Sequence, residues 1–95
     1  MPPWTTTTAE IAERVGVTGK TVREWAKRGL LPTPRTSYRG RRGRVALWPN
    51  TAIAQAVWVH GQLETGVPIP EILEILNRPE VKAALEAGEF KPPAG

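Results

Sequence analysis

The fold is decided by residues 7–29, which read TTAEIAERVGVTGKTVREWAKRG. Thr7 is followed three residues later by Glu10, and this capping box marks the start of a helix. Apolar side chains at helical spacing continue the helix for about two turns, until Gly16 can end it in a left-handed conformation. Thr18 can cap a second helix, which we expect to end at the last glycine of the stretch. Two helices joined by a short connection that contains glycine predict a helix-turn-helix.

The second helix has one apolar stripe and an otherwise basic surface. At about 100° per residue, small and apolar side chains share one face, and these are Val22, Trp25, Ala26 and Gly29. The flanks and the opposite face carry Lys20, Arg23, Glu24, Lys27 and Arg28. An ordinary amphipathic surface helix mixes the two signs of charge. The pattern therefore favours a recognition helix for nucleic acid over a merely solvated surface.

The net charge of +4 over 95 residues hides an uneven distribution. Residues 14–44 hold ten basic side chains and one acid, whereas the segments on either side are acidic. A compact segment with this charge would repel itself, which points to an anionic partner, and we expect double-stranded DNA. A membrane is not expected as a partner, because the chain has neither a basic amphipathic helix with a bulky apolar face nor an apolar run of roughly 18 residues.

Several classes of protein are excluded by residues that the sequence lacks. It contains no Cys, no Asp, one His and one Ser. A disulfide-stapled secreted domain needs cysteines, structural zinc needs four Cys or His ligands, and a Ser-His-Asp triad needs its Asp. We therefore expect no metal, no cofactor and no enzymatic activity. Without a recognisable secretory signal, we expect a cytoplasmic, nucleoid-associated protein, or one in the host cytoplasm if a phage encodes it.

After the second helix, the chain predicts a β-hairpin wing. Pro32 and Pro34 favour extended backbone. Residues 35–44 hold five arginines and no acid, and residues 45–48 read as a short strand. The arginines would lie near the tip of the hairpin. A disordered basic loop that becomes ordered on phosphate is the alternative, and the two are compatible.

Three further helical segments complete the chain. Asn50 can cap a third helix that runs to about Thr65, Pro68 and Pro70 open a fourth, and residues 80–87 can form a short fifth. The expected fold is mainly α with a small β-hairpin, a winged helix-turn-helix of four to five helices. We expect a flexible N-terminus (1–6), the winged helix-turn-helix (7–77), a short C-terminal helix (78–88) and a flexible tail (89–95).

The aromatic side chains are expected to divide between core and surface. Trp25, Trp48 and Trp58 have apolar neighbours in the sequence, so we assign them to the core rather than to base stacking. Trp4 and Tyr38 are expected to be exposed, and Tyr38 is placed to contact a phosphate or a sugar.

Several short motifs occur in an order known from one family. Residues 21–32 read TVREWAKRGLLP, Leu47-Trp48 closes the wing, and GVPI at 66–69 precedes the fourth helix. This order resembles the DNA-binding domain of MerR-type transcription regulators over about residues 5–77. The resemblance implies a DNA-binding regulator of transcription.

Three departures from the family pattern qualify the resemblance. Glu24 stands where the family usually has a phosphate-contacting Tyr; it can pair with Arg28 or accept a hydrogen bond from a cytosine amino group. The wing is longer and more basic than usual, with Ala46 in place of its last arginine. The long dimerising helix and the effector domain are missing, so no small-molecule effector is expected. The chain is more similar to single-domain relatives: small stand-alone regulators, phage excisionases and the DNA-binding end of phage terminase small subunits.

The expected DNA contacts come from the second helix and the wing. Arg23 is the leading candidate for a bidentate contact with guanine, and Thr18 and Lys20 are placed to hold phosphate. The wing arginines would follow the backbone or enter the minor groove. The full set of expected DNA-binding residues is Thr18, Lys20, Thr21, Arg23, Lys27, Arg28, Arg35, Tyr38, Arg39, Arg41, Arg42 and Arg44.

A single small DNA-binding domain achieves limited sequence specificity, so we expect several copies to associate on DNA. The acidic C-terminal part of one copy would contact the basic part of the next. RNA polymerase, a recombinase or a terminase would be further partners. The alternative functions are an architectural factor in recombination or phage DNA packaging, and an adaptor that binds an acidic protein.

Overall fold

The structure, a computed structural model, describes residues 3–38 and 44–92, and of Ser37, Tyr38 and Arg44 it describes the main chain alone. Within these ranges the chain forms five helices and three short strands. In chain order they are β1 (Thr6–Thr7), α1 (Thr8–Val15), α2 (Gly19–Lys27), β2 (Arg35–Tyr38), β3 (Arg44–Trp48), α3 (Ala52–Glu64), α4 (Ile69–Leu76) and α5 (Pro79–Glu86). The predicted fold class, mainly α with a small wing, is confirmed. None of the described helices is long and apolar enough to cross a membrane.

The ends of α1 follow the predicted cap chemistry. Thr7 Oγ1 accepts a hydrogen bond from Glu10 N at 3.2 Å, and Glu10 Oε1 accepts one from Thr7 N at 3.3 Å. The capping box thereby satisfies two of the amide groups that a helix start leaves free. At the other end, Gly16 has a φ of 88° and donates its amide hydrogen to Ala12 O. Both boundaries of α1 are therefore set locally by the sequence.

The start and end of α2 are equally well defined. Thr18 Oγ1 accepts a hydrogen bond from Thr21 N at 3.2 Å. After the last turn, Gly29 adopts a φ of +83°, and the amide of Leu30 donates to Trp25 O at 2.9 Å. This bond and the bond from the amide of Gly29 to Ala26 O, at 3.1 Å, form the Schellman motif, in which glycine is favoured at the residue with positive φ. The helix ends at Lys27, two residues before the predicted boundary.

The sheet has one more strand than the sequence predicts. Its strand order is β1-β3-β2, and both pairings are antiparallel. The hairpin of β2 and β3 is the predicted wing, with Arg35 opposite Leu47. The added strand, β1, pairs Thr6 with Trp48. Two threonines show no alternation of apolar side chains, and their partner lies far along the chain, so no local pattern could reveal this strand.

The core forms where α1, α2, α3 and α4 meet the end of β3. Trp48 is fully buried, and its Nε1 donates a hydrogen bond to Thr8 Oγ1 at 2.9 Å. The other buried members are Ile11, Val22, Trp25, Leu30, Leu31, Ala52, Ala56, Val59, Ile72 and Leu76. The apolar stripe of α2 thus points inward, which leaves its charged face outside. On α5, Val81 is buried.

The tryptophans divide almost as predicted. Trp25 and Trp48 are buried, whereas Trp58 is half-buried against the core and packs on Phe90, with 5.7 Å between the ring centroids. The expectation that Trp4 is exposed is wrong. Its ring is half-buried and lies under the guanidinium of Arg35, 4.2 Å from the ring centroid. A contact between residues so far apart in sequence leaves no periodic signal.

The predicted cap of the third helix is also wrong. The N-cap of α3 is Thr51, and no side chain caps this end. Asn50 serves the N-terminal segment instead, because its Oδ1 accepts hydrogen bonds from the hydroxyls of Thr5 at 2.9 Å and Thr6 at 3.1 Å. Its backbone N–H also donates to Pro3 O at 3.0 Å. Tertiary partners therefore outcompete the local cap that this residue type favours.

Candidate nucleic-acid interface

The exposed face of α2 is cationic, as the helical wheel predicts. Val22 and Trp25 are buried, and Lys20, Arg23, Lys27 and Arg28 are exposed. At 100° per residue, these four side chains lie within an arc of about 140° opposite the buried stripe. Burial of one face therefore presents the four cations together on the other.

These cations have no carboxylate partners within the described ranges. The ion pairs found there are His60 with Glu64, at 3.4 Å, and Lys91 with Glu89, at 3.0 Å. Neither pair involves α2 or the wing. Unpaired surface cations repel one another, and an anion that neutralises them is favoured.

Glu24 does not form the predicted pair with Arg28. Both side chains are exposed, and no ion pair joins them. Such exposed pairs contribute only a few tenths of a kcal/mol, which is too little to hold two long side chains in one geometry. Glu24 is thus free of protein partners among the described residues, and its contact with a cytosine amino group stays a prediction.

Thr18 and Thr21 share their hydrogen-bonding capacity. Their hydroxyl oxygens are 3.1 Å apart, and either can donate to the other. Since one hydroxyl hydrogen is used within the pair, one hydroxyl hydrogen of the two remains for an outside acceptor. The N-terminus of α2 can therefore offer a phosphate one threonine hydroxyl rather than two.

A groove separates α2 from the segment that enters the wing. It has a volume of about 370 Å³ and is lined by Arg23, Ala26, Lys27, Thr33 and Pro34. Arg23 and Lys27 are one turn apart, so both cations lie along the same wall. An anionic group in this groove would meet two positive side chains at once.

Arg35 extends the cationic face from α2 to the base of the wing. It is exposed, and its guanidinium stacks on the Trp4 ring as described above. A planar cation over an aromatic face is stabilised by the ring quadrupole. We call Lys20, Arg23, Lys27, Arg28 and Arg35 the basic surface.

The rest of the predicted wing site is described only in part. The main chains of Tyr38 and Arg44 are paired across the hairpin. Arg39, Arg41 and Arg42 lie outside the described residues, so their roles stay predictions. Among the described residues, no group of three His, Cys, Asp or Glu side chains lies close enough to hold a metal ion.

The position of α2 is fixed by a buried amide. Gln55 Nε2 donates a hydrogen bond to Leu30 O at 2.8 Å, across 25 residues of sequence. This bond ties the reversal after α2 to α3, whose first turns lie in the core. Further along α3, the ring of His60 lies near the ring of Trp25, with 6.2 Å between the ring centroids. The helix that carries most of the basic surface is therefore tied to the core through α3.

Sequence reasoning missed three residues of this region: Trp4, Thr33 and Pro34. Trp4 supports Arg35, and the other two form one wall of the groove. The proline signalled extended backbone, but none of the three carries a charge or a motif. Their role follows from position alone.

Comparison with known proteins identifies the family. The family model described as "MerR HTH family regulatory protein" matches residues 6–78. The crystal structure of HiNmlR, "a MerR family regulator lacking the sensor domain, bound to promoter DNA", has the same fold, with a TM-score of 0.56 and 24% sequence identity. The alignment covers 87% of this chain and 67% of that one. Among curated proteins, none matches the sequence. With more than half of its length matched by the family model, this chain belongs to the MerR HTH family of regulatory proteins.

Proposed function

We propose that this protein binds double-stranded DNA in a sequence-specific manner and regulates transcription. The observation that carries the proposal is the basic surface: exposed cations on a helix-turn-helix, with no carboxylate partners in the described ranges. Membership of a regulatory family supports it, and so does the fold shared with a regulator bound to promoter DNA. DNA binding would place the protein in the cytoplasm, in association with the nucleoid.

In this proposal α2 enters the major groove and α1 crosses behind it. Arg23 reads a guanine through two hydrogen bonds. Lys20, Lys27 and Arg28 hold phosphates, and one hydroxyl of Thr18 or Thr21 adds a contact near the helix start. Arg35 and the arginines of the wing follow the backbone or the minor groove.

Selection of bound sequences from random duplexes tests this function. A defined motif supports sequence-specific recognition, and a lack of enrichment contradicts it. Arg23→Ala should weaken binding to the selected site by about 1–3 kcal/mol and relax the preference at one base pair. Arg78→Ala is the matched control, because Arg78 is exposed at the start of α5, outside the basic surface.

The acidic C-terminal helices suggest how copies could associate on DNA. Glu71, Glu74, Glu80 and Glu86 are all exposed on α4 and α5. Glu71 and Glu74 are about one turn apart on α4, so they would present two negative charges on one side to the basic region of a neighbouring copy. Copies arranged head to tail would gain the specificity that a single small reader lacks.

Light scattering with and without a long duplex measures this association. We expect several copies per duplex at saturation, and Glu74→Lys should reduce their number. Glu13→Lys, an equal change of charge at an exposed position on α1, is the control. Strictly one copy per long duplex would rule out association on DNA.

The same surface would also serve an architectural factor that assists a recombinase or a packaging terminase. A circular-permutation bending assay separates that role from simple regulation, since an architectural factor bends its site strongly. An adaptor for an acidic protein would instead show no competition by a short duplex. RNA polymerase remains the further partner expected for a regulator.

A further inference from the structure

A second concave site lies where α2, the wing and the C-terminal helices meet. Its volume is about 360 Å³, within the range of pockets that enclose small organic molecules. The floor consists of residues that are themselves buried: Leu31, Pro49, Thr51, Gln55 and Leu76. This cavity is separate from the groove that Arg23 and Lys27 line, and of its lining residues only Arg35 also belongs to the basic surface.

An unsatisfied polar atom, Gln55 Oε1, lies buried just beneath the floor of the cavity. Gln55 is only 4% exposed, and its Nε2 is engaged by Leu30 O. Its Oε1 has no hydrogen-bond partner among the described residues. A buried acceptor without a donor is unfavourable, so a small shift of the Gln55 amide towards a ligand that supplies an N–H or O–H group would gain a hydrogen bond.

The rim of the cavity combines aromatic, aliphatic and charged side chains. Trp4 and Leu85 offer apolar surface, and Arg35 and Lys82 bring two positive charges against the single carboxylate of Glu86. Lys82 and Glu86 are one turn apart but form no ion pair in the described structure. The charges at the rim therefore favour a single anionic group, placed towards Arg35 and Lys82.

We propose that this cavity binds a planar aromatic carboxylate that carries an N–H donor. The ring fills the apolar space between Trp4, Leu31 and Leu85, and the carboxylate meets the cations at the rim. The Gln55 amide shifts towards the ring to accept the hydrogen bond from its donor. All of the cavity's lining residues belong to this chain, so the site needs no separate effector domain. It differs from the sequence-based expectation that no small-molecule effector would bind, because its lining comes from five separate segments of the chain.

Calorimetric titration of the full chain with three probes tests the proposal. Indole-3-acetate has the ring, the donor and the carboxylate; indole-3-ethanol lacks the charge, and 1-naphthylacetate lacks the N–H. We expect indole-3-acetate to bind most tightly. Loss of the charge should weaken binding about threefold, as for an exposed ion pair, and loss of the donor about fivefold.

Two substitutions, each with a control, test whether the probes bind in this cavity. Leu85→Trp should fill the rim and abolish binding, whereas Leu63→Trp, at a half-buried leucine of α3 outside the cavity, should not. Lys82→Ala should remove most of the preference for the acid over the alcohol, and Lys91→Ala should preserve it. If Leu85→Trp fails to fold, the comparison of the two lysine variants decides the question.

The proposal is overturned if all three probes have Kd values above about 10 mM, or if indole-3-acetate binds folded Leu85→Trp as tightly as the unmodified chain. Equal affinities for the three probes would also overturn it, because they would indicate binding to an apolar surface without the predicted polar contacts. The titration contains no DNA, so its result is independent of the proposed function.

Discussion

Lys27 is an exposed cation in the groove beside the wing, and its replacement by alanine tests whether the basic surface holds phosphate. Each neutralised phosphate contributes about −0.9 to the slope of log K against log salt on duplex DNA. If Lys20, Lys27, Arg28 and Arg35 each met one phosphate, they would contribute a slope of about −3.6. Lys27→Ala should make the slope less steep by about 0.9, and the variant should lose affinity most at low salt.

The size of the effect can be stated for a convenient range of salt. When salt rises from about 50 to 200 mM, one phosphate contact lowers log K by about 0.9 times the logarithm of four. The ratio of the unmodified protein's affinity to that of Lys27→Ala should therefore fall roughly 3.5-fold over this range. Fluorescence anisotropy with a labelled duplex of the selected sequence measures this ratio at several salt concentrations. The effect needs no knowledge of which base pairs are read.

The control for this measurement is Arg78→Ala, which removes one exposed positive charge away from the basic surface. Its slope should match that of the unmodified protein. If Lys27→Ala also left the slope unchanged, or if affinity did not depend on salt, Lys27 would not bind phosphate and the docking of α2 would have to be revised.

Four further substitutions test the frame that holds the basic surface, each measured by chemical denaturation. Gly29→Ala and Gly16→Ala should each lower the free energy of unfolding by about 1–2 kcal/mol, since both glycines have positive φ; a neutral Gly16→Ala would contradict this reason. Thr7→Ala removes the capping box of α1 and should cost about 1 kcal/mol, and an unchanged stability would show that the cap contributes nothing. Trp48→Phe removes a buried indole N–H donor and should cost about 1.5–3 kcal/mol, clearly more than Trp58→Phe at a half-buried site.

The parts of the fold that sequence reasoning predicted are those fixed by near neighbours. The capping box at Thr7, the left-handed Gly16 and the cap at Thr18 each act within a few residues. The charged face of α2 follows from helical periodicity, because burying Val22 and Trp25 turns the remaining side chains outward. Most of the candidate DNA-binding site in the described ranges was therefore predictable.

The incorrect predictions concern contacts between segments that are far apart in the sequence. Asn50 has the side chain of a helix cap, but hydroxyls of the N-terminal segment compete successfully for it. Trp4 lies in a stretch without periodicity, and its position is fixed by Arg35. Such contacts depend on where the whole chain places two segments, and local propensity contains no information about that.

The sequence by itself determined both ends of α1, the start of α2, the winged helix-turn-helix class and the cationic face of α2, because these depend on interactions over one or two turns. The tertiary structure decided the third strand, the stacking of Arg35 on Trp4, and the cavity over Gln55. These features join residues 25 or more positions apart. Only the packing of the complete core brings such residues together, so only the folded chain reveals the site that they form.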